Sequence, residues 1–161
     1  MLNIVLFEPE IPENTGNIGR NCVGFNAKLH LIKPYGFTLN DKSVKRAGLD
    51  YWKYLQYQEY DDWYEFEFKN LVNKKNIKFY LLTKYGKNSV LDINLMDNNN
   101  LTDVYLIFGK ESKGIDKKIL DKYFDKTFYI PMNQNIRSFN LSNCVAIVSN
   151  EYHRQNNYKN V

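Results

Sequence analysis

The chain is 161 residues long, 43% hydrophobic and 16% aromatic, with a formal net charge of +4. That composition excludes a disordered tail, and the length suits a single domain over residues 1–161 with no room for a separate binding module. The small positive excess leans toward a polyanionic partner while leaving RNA, DNA, a nucleotide cofactor or no such partner open.

Residues 3–7 (Asn-Ile-Val-Leu-Phe) read as a short apolar strand, followed by the Pro-rich loop Glu8-Pro9-Glu10-Ile11-Pro12. Asn14 or Thr15 is placed to cap a helix carrying Ile18, Cys22, Val23 and Phe25 at helical spacing. Residues 29–32 form the next strand, closed by Pro34 and Gly36, and Asp41 caps a basic turn with Lys42, Lys45 and Arg46. Residues 51–57 look extended; 61–72 look helical, with acidic residues in the first turn as a helix dipole prefers. The apolar runs 77–83 and 104–108 have the pattern of strands buried on both faces of a parallel sheet. A polar turn at 97–100, a helix over 116–123 and a strand containing Phe128 and Ile130 follow. The final helix, from about Leu141 to Arg154, places Leu141, Cys144, Val145, Val148 and Tyr152 on one face. This alternation predicts an α/β domain with a mostly parallel sheet flanked by helices.

Several chemistries are absent from the sequence. Gly16-Asn17-Ile18-Gly19 never completes a dinucleotide fingerprint, and Gly109-Lys110-Glu111-Ser112-Lys113-Gly114 lacks the ending of a phosphate-binding P-loop. There is no C-x-x-C, no H-E-x-x-H and no nucleophile elbow, which argues against a metal site and against a serine hydrolase. His30 lies in an apolar strand, as a satisfied core histidine does, and Cys22 and Cys144 sit in apolar helical patterns, as buried free thiols do. The opening residues lack a basic leader and no apolar run reaches about 18 residues, so a cytoplasmic protein with no membrane span is expected.

The most informative stretch is Ile130-Pro131-Met132-Asn133-Gln134-Asn135-Ile136-Arg137-Ser138-Phe139-Asn140-Leu141-Ser142-Asn143. It reads as a strand that empties through a polar loop onto a helix N-terminus, where unpaired backbone N–H groups and the helix dipole favour ligand acceptors. A plain capping loop would need one Ser or Asn; this one is rich in Asn, Ser and Arg.

Taken with Asn14-Thr15-Gly16-Asn17-Ile18-Gly19-Arg20, with Arg46-Ala47-Gly48-Leu49-Asp50-Tyr51-Trp52 and with residues 107–115, this loop resembles the SPOUT superfamily of RNA methyltransferases, in particular the small tRNA (cytidine/uridine-34) 2′-O-methyltransferase family. The likeness runs from Met1 to about Gln155. It implies a SPOUT fold with a deep C-terminal trefoil knot, S-adenosylmethionine bound there, tRNA as substrate, a homodimer and no metal. The residues read in isolation would give an ordinary doubly wound sheet, since knots are nearly absent among folds.

By resemblance, Leu82, Thr83, Gly109, Glu111, Ile130, Met132, Ser138 and Asn143 surround the cofactor, Arg20 and Ser138 are catalytic, and Asn17, Arg20, Arg46, Lys113 and Arg137 contact RNA. Read without it, Leu82, Ile130 and Met132 are core residues and Arg20 is a solvated helix arginine. Gly109 is expected to leave space for an adenosyl group, so that Gly109→Val would block binding and spare the fold. The dimer interface is expected on the first and last helices, with Val148, Tyr152 and Tyr158 contributing. Two other functions compete: 2′-O-methylation at another tRNA or rRNA site, and non-catalytic RNA binding by the same fold.

Overall fold

The computed structural model of the chain describes residues 1–39, 51–97, 101–159 and 161. Strand β1 (Leu2–Phe7) is buried along its whole length, and its alternating side chains feed two cores. Leu2, Ile4 and Leu6 face one side, where they meet Ile18, Cys22, Val145, Val148 and Tyr152; Val5 and Phe7 face the other, with Tyr60, Trp63, Phe66 and Ile119. A strand apolar on both faces needs helices on both sides, and the chain supplies them. Helices α1 (Pro12–Gly24) and α4 (Leu141–Gln155) cover the first side; α2 (Trp63–Glu67) and α3 (Lys117–Lys122) cover the second.

The remaining strands are β2 (Lys28–Ile32), β3 (Tyr57–Tyr60), β4 (Ile77–Leu82), β5 (Asn88–Ser89), β6 (Asp103–Phe108) and β7 (Thr127–Tyr129). Among the described residues they form a seven-stranded sheet in the order β3-β2-β1-β6-β4-β7-β5, with every pairing parallel. Parallel pairing sends all strands the same way, so the loops leaving β1, β4, β6 and β7 gather at one edge of the sheet.

The second core contains a closed run of polar groups. His30 sits between Tyr60, whose hydroxyl is 2.8 Å from Nδ1, and Asn3, whose Oδ1 is 3.0 Å from Nε2. Asn70 donates to the Tyr60 hydroxyl at 3.0 Å, which leaves the tyrosine proton for His30 Nδ1 and the histidine proton for Asn3. Burial, reinforced by the nearby charges of Lys28 and Lys74, pushes His30 down to about 3. This is the satisfied core histidine that the sequence predicts.

At its end, α4 is sewn to the segment before β6. Gln155 accepts from Leu95 N and donates to Ile93 O, while Asn156 accepts from Asp97 N and donates to Leu95 O. Two side-chain amides thus replace a missing strand partner. Tyr152 is 1% exposed and donates to Asp97 at 2.7 Å, so it belongs to its own chain's core. It is not the docking residue expected from the sequence: its apolar ring is covered by the sheet and its hydroxyl has a buried acceptor.

Other expectations need correction. α1 starts at Pro12, and Asn14 and Thr15 lie buried inside it; Ile11 at the cap position offers no side-chain hydrogen bond. Proline at the first helical position has no N–H to satisfy, and the cap comes from a distant residue described below. The stretch 51–57 is not extended throughout, because Trp52–Tyr54 is a 3₁₀ turn and the strand begins at Tyr57. The helix expected at 61–72 is α2 followed by a π-helical turn, Phe68–Val72. β5 has only two residues, too few for a sequence pattern. Asp41, Lys42, Lys45, Arg46 and residues 98–100 lie outside the described residues. No described helix is long and apolar enough to cross a membrane.

Candidate active site

At the carboxyl ends of β4, β6 and β7 lies a cleft of about 1170 Å³, walled by the loops that follow those strands and by the loop after β1. Leu82, Phe108 and Phe128 form its apolar floor; Ile130 and Met132, both half-buried, continue the apolar wall. Thr83, Gly109, Glu111, Ser138 and Arg137 give it polar edges, and Lys113 stands at its rim. Seven of the expected cofactor residues therefore converge from three loops: Leu82, Thr83, Gly109, Glu111, Ile130, Met132 and Ser138. Asn143 does not line the cleft. It is exposed in the first turn of α4, whereas Asn140, Leu141 and Cys144 turn toward the cleft.

Glu111 occupies the centre of a network that locks these loops together. Its carboxylate accepts from Glu10 N at 2.9 Å, Ile11 N at 3.3 Å and Asn14 Nδ2 at 2.9 Å. A carboxylate from 100 residues away thus caps α1, where the helix dipole and unpaired N–H groups favour negative charge. Asn14 Oδ1 in turn accepts from Asn140 Nδ2 at 2.9 Å, and Asn140 Oδ1 accepts from Ser142 N as the cap of α4. Alongside, Glu10 accepts from the Ser112 N–H and hydroxyl, hydrogen bonds that hold its carboxyl below the usual range. Lys110 pairs with Glu8, and Arg137 donates to Ser112 O at 3.4 Å. Asn14 and Asn140, both within the stretches that carry the resemblance but not among the cofactor or catalytic residues it implies, are the joints between the two helix N-termini.

Gly109 is required for a reason different from the one expected. A Cβ there would lie 2.3 Å from Gly114 C and 2.4 Å from Ile115 N, because the loop after β6 doubles back on itself and closes with Gly114 N donating to Lys110 O. Gly109→Val would therefore break the loop itself. Gly114, at φ +73°, makes the return turn.

Arg20 and Asn17, on the exposed flank of α1, do not line this cleft. Within one chain, the two expected catalytic residues, Arg20 and Ser138, are thus not brought to a common cavity. The Arg20 guanidinium lies over the Tyr51 ring, 5.2 Å from its centroid. Among the described residues, no group of three or more His, Cys, Asp or Glu side chains is arranged to hold a metal.

Comparison with known proteins adds four findings. Residues 1–150 match the SpoU rRNA Methylase family. A Mycoplasma pneumoniae protein named as a tRNA (cytidine(34)-2′-O)-methyltransferase is 47% identical over 160 residues, 99% of this chain and 94% of that one. A solved structure described as giving insight into 2-OH methylation of C/U34 on tRNA superposes with a TM-score of 0.88 at 33% identity, covering 99% of this chain and 98% of its own. At 19% identity and a TM-score of 0.80, the AviRb methyltransferase of Streptomyces viridochromogenes, solved with AdoMet, shares the fold over 97% of this chain and 58% of its own.

Proposed function

Since the chain belongs to the SpoU rRNA methylase family, we propose that it methylates the ribose 2′-hydroxyl of the wobble nucleotide of tRNA, position 34, a cytidine or a modified uridine. The observation that carries this reading is 47% identity, across 99% of this chain, to a relative bearing that name. S-Adenosylmethionine would supply an activated methyl group together with its own leaving group, so the reaction asks for no metal.

The cleft suits that cofactor. At about 1170 Å³ it is somewhat larger than a typical small-molecule site. Its apolar floor and wall match an adenosyl group, and its loop edges match the polar remainder. On this reading Leu82, Thr83, Gly109, Ile130, Met132 and Ser138 hold the cofactor, while Glu111 acts behind it by fixing the loops. Asn143 is withdrawn from this set and Asn140 takes its place.

A guanidinium is a poor base near neutrality, so Arg20 serves by holding a phosphate or the developing alkoxide, with Ser138 beside the reacting oxygen. Because Arg20 stands outside its own chain's cleft, this role calls for a homodimer in which it addresses the partner's cleft. The exposed ridge of α4, with Asn143, Ile147 and Asn150, and that of α1, with Asn17, Arg20 and Gly24, offer a patch for a twofold interface. A monomer in sedimentation that still methylates tRNA would refute this arrangement. Lys113 and Arg137 at the cleft rim, Asn17 and Arg46 are the further RNA contacts. The whole chain acts as one domain, in the cytoplasm, with the loops after β6 and β7 and α4 forming the C-terminal trefoil knot.

The test is direct. Purified chain, S-adenosylmethionine and tRNA with an unmodified C34 or U34 are incubated, digested and mapped by mass spectrometry. One new ribose methyl group at position 34 is expected; a methyl group at another nucleotide, or none, overturns the proposal.

A further inference from the structure

Resting on the reading of Arg20 above, we infer that Tyr51 is the positioning residue that sets the Arg20 guanidinium. Helix α1 carries glycine at positions 16 and 19, in mid-helix, where only proline is a worse helix former. The structure supplies a reason for Gly19. Tyr51 lies across this turn: its hydroxyl donates to Gly16 O, and its ring approaches to 3.5 Å of where a Gly19 Cβ would stand. Leu55 at 3.1 Å and Trp52 at 3.5 Å close on the same point. The ring's face then carries the Arg20 guanidinium carbon, 5.2 Å from the centroid.

Positions 16, 19 and 20 share one flank of the helix, so a single aromatic side chain touches all three. Tyr51 itself is only 7% exposed, whereas Arg20 is exposed. A buried, hydrogen-bonded ring is a fixed platform, and a long arginine laid on it gives up most of its rotamers in advance. The ring holds the guanidinium carbon over its face, an arrangement that fixes the cation where an anionic group could be met. The missing side chain at 19 is what lets the platform reach the helix, where the Gly16 carbonyl receives its hydroxyl. The tyrosine hydroxyl makes the platform ride with α1, so arginine and helix hold one geometry.

The experiment uses the full chain and tRNA. Tyr51→Leu is expected to lower kcat for methylation about tenfold, with KM for S-adenosylmethionine changed by less than about twofold. Tyr51→Phe keeps the ring and restores most of the rate. In an Arg20→Ala background, Tyr51→Leu should change kcat by less than about twofold, because the group it positions is gone. Independently of activity, proton NMR should show the Arg20 δ-methylene shifted upfield by the ring, a shift lost in Tyr51→Leu and kept in Tyr51→Phe. Equal fractional losses in the parental and Arg20→Ala backgrounds, or Arg20 resonances indifferent to Tyr51→Leu, would overturn the inference and leave the methyltransferase reading standing. A parental chain that transfers no methyl group would overturn that reading instead, and the NMR arm alone would then decide whether Tyr51 holds Arg20.

Discussion

The network around Glu111 and the network around His30 both join segments far apart in sequence, yet one lies at the loop edge of the sheet and the other inside it. Around His30 every member is buried, and the chain of bonds runs from Asn3 through His30 and Tyr60 to Asn70. Around Glu111 the carboxylate is half-buried and, of its three partners, Glu10 and Ile11 are exposed and only Asn14 is buried. In water an exchange of hydrogen bonds is nearly even, so the Glu111 network contributes little to folding and much to where the loops stand. Inside the sheet a lost partner leaves a group with nothing to bond, so the His30 network governs stability.

The comparison is most exposed at Glu111. Glu111→Ala should lower methyl transfer on the order of 10²-fold, the scale of a displaced catalytic frame, with a loss of stability of only about 1 kcal/mol. A defect confined to KM for S-adenosylmethionine would show that Glu111 touches the cofactor, as the sequence resemblance implies, and does not merely set the loops. The reverse pattern is expected at His30. His30→Phe should cost about 2 kcal/mol in urea denaturation, by orphaning Tyr60 and Asn3, while kcat at 25 °C stays near the parental value. A large loss of activity there, at unchanged stability, would erase the distinction.

The two networks also differ in how they answer pH. His30 is pushed down to about 3 in the folded chain, well below the ordinary histidine value. Between those two values the unfolded chain binds the proton and the folded chain does not, so stability falls as pH drops through that window. The slope from this one group is at most about 1.4 kcal/mol per pH unit. Urea midpoints of the parental chain and His30→Gln measured from pH 7 to pH 5 should converge as pH falls; parallel curves would remove His30 as the source. The smallest effect is expected at Asn140, where Ala loses a helix cap worth about 1 kcal/mol and the link to Asn14. Its stability loss should be the same at both pH values, since no titrating group changes.

Legibility in the sequence follows the same division. Strands β1, β4 and β6 and helix α4 were readable because burial on one or both faces imposes a repeating apolar pattern, and the three loops that wall the cleft were readable as a family resemblance. The start of α1 was misread because its cap is Glu111, and no local pattern reveals a carboxylate 100 residues away. Tyr152 was misread for a related reason: an amphipathic tyrosine near a chain end looks like a surface anchor until Asp97 is seen to accept from it. Gly109 lines the cleft, but its steric need could not be read from the sequence, since only the folded loop shows Gly114 pressing against it. Asn143 and Asn140 differ by less than one helical turn, and which of them faces the cleft depends on where α4 begins.

The sewing of α4 onto residues 93–97 bears on synthesis as well as structure. Gln155 and Asn156 supply the partners for the backbone of Ile93, Leu95 and Asp97, and they follow every strand of the sheet in the chain. α4 also packs against α1 and β1, elements made well before it. A nascent chain therefore has its whole sheet translated before the helix that covers Ile18 and Cys22 can dock, and it carries that apolar face uncovered until α4 emerges. For this fold, closure of that face waits for α4, and a chain stalled a few residues short of Gln155 should be a client for chaperones.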